Sequence, residues 1–209
     1  MKTNVYVTNH RKKKSEISPN DFYSTHSDSI NTFLEEFLKK YIIYEVWEPA
    51  AGRGNISSVL QKFGIKVFSS DLISRGENGL AFERDGHTIF GNIDFLQQKS
   101  LPNNDIDTII TNPPFSLAEE FIRKSIELHP KLFIIMYLKL TFLEGKKRYK
   151  LFQEYPPTEV WIHSSRQNCD KNGAEEFKNG SAVAYAWFVW KMNTIRPAHP
   201  ELYWLPPNS

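Results

Sequence analysis

The sequence is poor in cysteine, in long apolar runs and in excess charge of either sign, and each shortage removes a class of protein. One cysteine, Cys169, among 209 residues excludes an internal disulfide framework and any zinc site built from several cysteines. The six histidines are scattered, with no pair at helical ligand spacing, so no metal is expected. The longest apolar stretch, 132–138, is the length of a strand and far short of a bilayer span. The first residues lack the apolar core of a secretory signal, and the expected location is the cytoplasm. A formal net charge of +2 is too small to argue for nucleic acid by itself. Its distribution says more: Arg11-Lys12-Lys13-Lys14 and the run 145–150 are two local clusters that could meet phosphates.

What is present is ordinary globular composition, 40% hydrophobic with 24% charged residues, in a 24.3 kDa chain suited to one α/β domain. Residues 1–20 read as a polar, mobile lead-in, 21–195 as the domain, and 196–209 as a Pro-rich tail. A helix is expected from Asp28, because Ile30, Phe33, Leu34, Phe37, Leu38 and Tyr41 recur at three- and four-residue steps; Ser27 or Asp28 would cap it. Strands are expected over 44–48, 66–70, 88–90, 105–111, 131–138, 160–163 and 184–190. Helices should follow Gly54, Ser116 and Gly145, the second opening with a capping box at Ser116 and Glu119. The stretch between the 66–70 and 88–90 strands is expected to be irregular. Alternation of strand and helix implies a mostly parallel twisted sheet with helices on both faces. The last strand, 184–190, should return antiparallel at or near the sheet edge, and Trp187 and Trp190 belong to the core.

The tetrapeptide Asn112-Pro113-Pro114-Phe115 carries the most information. Two prolines remove two backbone donors and stop the preceding strand, which holds Asn112 in a turn at its carboxyl end. Ligands of open α/β sheets bind at that edge. An amide, an exposed carbonyl and an aromatic ring there suit a planar base bearing an amino group.

The first strand-to-helix turn is Glu48-Pro49-Ala50-Ala51-Gly52-Arg53-Gly54. Gly52 and Gly54 allow backbone amides to approach a ligand closely. Ser57 stands where the dinucleotide fingerprint has its third glycine, and no phosphate-loop Lys-Ser/Thr follows. A carboxylate just before the glycines repels phosphate and suits a cation with an amino group, such as S-adenosylmethionine. Asp71, at the end of the next strand, is placed to bind ribose hydroxyls. Asp94 could accept from an adenine amino group, with Phe95 or Ile93 packed on the ring.

In this order the residues resemble those of the N6-adenine DNA methyltransferases, in particular small phage and prophage ones, from about Asp21 to Trp190. The motif Asp21-Phe22-Tyr23-Ser24-Thr25 completes the match. The resemblance implies a Rossmann-like class I methyltransferase fold, S-adenosylmethionine as cofactor with S-adenosylhomocysteine as product, and double-stranded DNA as partner. It also implies that Phe22, Tyr23, Thr25, Glu48, Ala50, Gly52 and Gly54 surround the cofactor, that Asp71 holds its ribose and Asp94 with Phe95 its adenine. Asn112 and the carbonyl of Pro113 would grip the target amine, with Pro114 stiffening the turn and Phe115 stacked on the base. His26 stands where related sequences often have proline.

Farther on, Lys139, Lys146, Lys147 and Arg148 follow a strand at the same edge and are candidate nucleic-acid contacts, with Arg166, Asn168 and Lys171 in a DNA-facing flap. His163, Ser164 and Cys169 are too close in sequence to form a hydrolytic triad. No independent target-recognition domain fits, so sequence choice falls to short loops, a second copy or a partner subunit. The same turn would serve adenine in RNA or a glutamine amide, and a catalytically silent nucleic-acid-binding subunit is a further alternative.

Overall fold

A computed structural model describes residues 23–75, 81–165, 169–171, 183–195 and 197–207. The lead-in 1–20, Phe22, Arg166 and Asn168 lie outside these residues. Among those described, nine strands form one sheet. Along the chain they are β2 (Glu45–Glu48), β3 (Lys66–Ser70), β4 (Ala81–Arg84), β5 (His87–Phe90), β6 (Thr108–Thr111), β7 (Phe133–Lys139), β8 (Glu159–His163), β10 (Tyr185–Lys191) and β11 (Glu201–Leu205). Two more, β1 (Tyr23–Thr25) and β9 (Cys169–Lys171), pair antiparallel with each other. The sheet order is β11-β8-β10-β7-β6-β2-β3-β5-β4, with only β10 and β4 running against the rest.

Burial on both faces explains why β7 and β10 are continuously apolar. Phe133, Ile135 and Tyr137 alternate with Ile134, Met136 and Leu138 between two cores, and Tyr185, Trp187 and Val189 alternate with Ala186, Phe188 and Trp190. The first core is covered by α1 (Ser27–Phe37) and α2 (Asn55–Lys62), and the second by α3 (Ala118–Leu128) and α4 (Lys146–Glu154). Phe33 of α1 stacks on Trp187 with ring centres 4.6 Å apart, a contact worth about 1 kcal/mol beyond the area it buries.

Several expectations are corrected. The 184–190 strand is antiparallel as expected but sits between β7 and β8, away from the edge. The edge belongs to β11, drawn from the Pro-rich tail and parallel to β8. The stretch expected to be irregular contains β4, joined to β5 by Asp85 and Gly86, both at positive φ (52° and 75°), as a tight hairpin turn requires. His26, rather than Ser27 or Asp28, caps α1, its ring accepting from the Asp28 amide. The helix expected from Ser116 begins later: a 3₁₀ turn, Phe115–Leu117, follows the prolines, Leu117 takes the cap position of α3, and Glu119 accepts from Arg123 at 3.0 Å.

At the amino-terminal edge of the sheet, opposite the ligand edge, Glu159 is fully buried. It meets Lys191 (2.7 Å) and Lys40 (3.1 Å), and accepts from Tyr41 Oη and from Trp161 Nε1 (2.9 Å). Burial alone would raise its pKa, but these donors outweigh it and hold the carboxyl below its ordinary value. Glu159→Ala leaves the buried Trp161 Nε1 without its acceptor and two partly exposed ammoniums without their counter-charge, and chemical denaturation should show a loss of about 1–3 kcal/mol. The contribution of the charge is present at neutral pH and disappears as pH falls through the depressed pKa.

Candidate active site

Parallel pairing brings the carboxyl ends of β2, β3, β5, β6, β7 and β8 to one edge, and the residues singled out at successive strand ends gather there. The turn after β2 is built by its own backbone. Gly52 (φ 59°) and Gly54 (φ 75°) adopt left-handed conformations, and the Gly54 amide donates to the Ala51 carbonyl at 2.7 Å. A Cβ on Gly54 would lie 2.6 Å from Ile89 Cδ1, so β5 closes against the loop.

Asp71 organises this loop. Its Oδ2 accepts from the Gly52 amide at 2.7 Å, its Oδ1 from the Ile73 amide at 2.8 Å, and Arg75 lies 3.2 Å from Oδ1. Asp94 performs a similar local task, accepting from the Leu96 amide (3.0 Å) to cap a 3₁₀ turn. Phe95 is core: its ring packs on Trp47 and Phe121, so of the two apolar candidates beside Asp94 only Ile93 is half-exposed.

Glu48 ends β2 with only 2% of its surface exposed. Ser57 donates to its Oε2 from the backbone amide at 2.9 Å and from the hydroxyl. From there a polar chain runs through Ser69 to His87 Nε2, 2.6 Å from Ser69 Oγ, and on to Gln61, 2.9 Å from Nδ1. Burial pushes the Glu48 carboxyl up to about 8, against the pull of the Ser57 hydrogen bonds; nearby Asp71 adds to the rise and Arg84 opposes it. Burial lowers the pKa of His87. Ser57 is thus no failed glycine but the residue that holds the acid, a role its place at the start of α2, nine residues after Glu48, would have allowed.

Asn112 follows β6 directly. Its Nδ2 donates to Thr25 Oγ1 at 3.0 Å, and Thr25 is 3% exposed. The Thr25 carbonyl accepts from Asn55 Nδ2 at 2.9 Å, and Asn55 also donates to Ser24 Oγ at 2.5 Å. Arg84 Nη1 closes this network, donating to Asn55 Oδ1 and to the Arg53 carbonyl (2.9 Å). Asn55 and Arg84 were not foreseen, and their contacts join segments about thirty residues apart.

Phe115, half-buried, lies 6.1 Å from the Tyr185 ring, and the ammonium of Lys139 sits 4.5 Å from its centre. Ala50 is partly exposed beside the glycine loop. Lys146 and Lys147 are exposed on α4, whereas Arg148 donates to the carbonyls of Glu144 (2.8 Å) and Thr141 (3.2 Å) and braces its own loop. Tyr23 and Lys171 are opposite one another in the β1–β9 ribbon, which brings the flap segment back to the strand that carries Thr25.

The fold is that of the Rossmann-like methyltransferases. A provisionally assigned RNA methyltransferase from Pyrococcus horikoshii superposes with a TM-score of 0.56 over 83% of this chain and 88% of its own, at 15% identity. The 23S rRNA methyltransferase ErmE gives 0.51 over 86% and 71%, at 16% identity. The methyltransferase subunit of a type I restriction-modification system from Streptococcus thermophilus gives 0.52 over 83% of this chain and 45% of its own, at 11% identity. No family model and no curated protein matches the sequence. Among the described residues, no helix is long and apolar enough to cross a membrane, and no cluster of three metal-ligating side chains occurs.

Proposed function

We propose that the protein transfers a methyl group from S-adenosylmethionine to the N6 amine of an adenine flipped out of double-stranded DNA. The observation that carries this reading is the pairing, at one sheet edge, of a buried acid beside a glycine loop with an oriented amide beside an aromatic ring. Glu48, with its charge suppressed by burial, fits a cationic ligand that would draw it into the ionised form. Gly52 and Gly54 open the backbone to that ligand, and Thr25, Ala50, Asp71 and Asp94 would line its site, Asp71 at the ribose and Asp94 at the base. When bound, S-adenosylmethionine supplies an electrophilic methyl group on a sulfonium.

The acceptor amine is a poor nucleophile, because its lone pair is delocalised into the purine ring. Asn112 Oδ1 and the Pro113 carbonyl accept its two hydrogens and favour a pyramidal nitrogen. Such acceptors stabilise the positive charge that develops there. Phe115 offers the stacking surface for a base that has left the duplex. Lys139, Lys146 and Lys147 supply cations on the approach. The reaction belongs in the cytoplasm, with site choice set by short loops, a second copy or a partner subunit.

The neighbours named as RNA methyltransferases favour adenine in RNA as the second acceptor. Digestion of DNA and RNA from expressing cells, with mass spectrometry of the nucleosides, separates the two. N6-methyladenine is expected in DNA from cells with the wild type and not in DNA from cells carrying Asn112→Ala. Methyladenine confined to RNA would replace DNA by RNA, and methylation of neither would reject the reading.

A further inference from the structure

We infer that Thr25 is a positioning residue that holds the side-chain amide of Asn112 in place for the acceptor amine, and that Asn55 braces this lock against the glycine loop. The mechanism above requires Oδ1 to keep a fixed position against the amine. The terminal torsion of a primary amide is broad, so the side chain alone does not hold its plane. Something outside the side chain must restrain it.

Thr25 supplies that restraint. Its Oγ1 accepts from Nδ2 at 3.0 Å, which anchors one branch of the planar amide and leaves Oδ1 on the other. Thr25 is 3% exposed, so water does not compete strongly for the bond. The threonine is itself held: its carbonyl takes a hydrogen bond from Asn55 (2.9 Å), and Thr25 pairs with Cys169 in the β1–β9 ribbon. Asn55 begins α2, directly after Gly54, and Arg84 ties it to the Arg53 carbonyl. The orientation of the acceptor amide and the conformation of the glycine loop therefore share one hydrogen-bonded network. The resemblance gave Thr25 a place at the cofactor; the geometry gives it a second task, exerted through Asn112.

Two measurements test the inference, and only the first rests on the proposed reaction. In steady-state methylation, Thr25→Val removes the hydroxyl with little change of shape. It should lower kcat by about 10- to 100-fold, the scale of a slight misplacement of a reacting group. KM for DNA and the cofactor dissociation constant should change far less, and Thr25→Ser should recover most of the rate. An unchanged kcat in Thr25→Val, or a loss explained wholly by weaker cofactor binding, overturns the inference. The second measurement needs no activity: NMR of the Asn112 side-chain amide in labelled protein, assigned by its disappearance in Asn112→Asp. Slow hydrogen exchange is expected in wild type and Thr25→Ser and fast exchange in Thr25→Val, while equal exchange in all three overturns it. A wild type that methylates nothing but shows this protection defeats the proposed reaction and leaves the lock standing. If Thr25→Val does not fold, Asn55→Ala provides the loosened state, with faster exchange expected and unchanged exchange counting against the brace.

Discussion

Asn112→Ala should reduce methyl transfer by about 10³-fold or more while leaving cofactor binding nearly intact. Removing a single preorganised partner of a developing charge costs roughly 10²–10³ in kcat elsewhere, and here the same change also removes the group Thr25 orients. The remaining acceptor, the Pro113 carbonyl, can engage only one of the amine's two hydrogens, so the nitrogen lone pair stays in the ring. The proposed cofactor site draws on the β2 and β3 strand ends, the glycine loop and the Asp94 turn, where the hydrogen bonds of Asp71, Glu48 and Asp94 do not involve the Asn112 side chain. Asn112→Asp is the informative companion. It keeps an acceptor oxygen, and Thr25 can donate to the other oxygen, so it should retain more activity than alanine. Incorporation of tritiated methyl groups gives the rates and calorimetry gives the cofactor affinity. Full activity in Asn112→Ala would refute the assignment of this turn.

The elements legible in the sequence were those whose pattern is set by burial. β7 and β10 announce themselves because both faces of each strand meet a core, so every residue is apolar. α1 was legible for the complementary reason: Ile30, Phe33, Leu34 and Phe37 form a single buried stripe. β4 was hidden because Ala81-Phe82-Glu83-Arg84 mixes charge with apolar residues at an edge, where its outer backbone has no partner strand among the described residues. β11 was hidden by prolines on both sides, at 200 and 206, which flank the strand without interrupting it. The start of α3 was misplaced because local side-chain chemistry was read without the backbone: the prolines deliver the chain into a 3₁₀ turn, and α-helix geometry begins only at Ala118.

The candidate site divides in the same way. Glu48, Gly52, Gly54, Asp71 and Asn112 could be named because each stands at a strand end, and strand ends are periodic features of an α/β chain. Their mutual contacts could not. Thr25 and Asn112 are separated by 87 positions, and Arg84 reaches Asn55 from a hairpin whose first strand was not expected. Phe95 illustrates the converse error, an aromatic chosen for its proximity to Asp94 whose ring the core had already taken.

Glu48→Gln should weaken cofactor binding at pH 8 by about 10- to 100-fold, and the wild type should show a pH dependence that the variant lacks. A hydrogen bond to a charged group is worth about 1.5–3 kcal/mol, and each 1.4 kcal/mol is a factor of ten. Glutamine preserves the acceptor that Ser57 needs and removes only the charge, which isolates the electrostatic part. Without ligand the wild-type carboxyl stays protonated up to about pH 8, because burial disfavours its anion. A bound cation favours the anion, so binding below pH 8 must expel a proton. Wild-type affinity should therefore rise with pH toward 8 and level off beyond it, and at pH 7 the calorimetric heat should vary with the ionisation enthalpy of the buffer. The groups around Glu48 do not reverse this sign. Asp71 reinforces the elevated pKa and Arg84 only moderates it, while burial lowers the pKa of His87 and so favours its neutral ring. Stability of the unliganded protein should run the other way. A carboxyl whose folded pKa lies above its unfolded value contributes fully below about pH 4.5, and the contribution is lost as pH rises through 8. Thermal unfolding should thus show wild-type Tm declining over that interval more steeply than that of Glu48→Gln, with added cofactor reversing the decline only in the wild type. Buffer-independent binding heats together with parallel Tm profiles would mean that Glu48 keeps the same charge before and after binding, and the coupling of ligand binding to its deprotonation would fail.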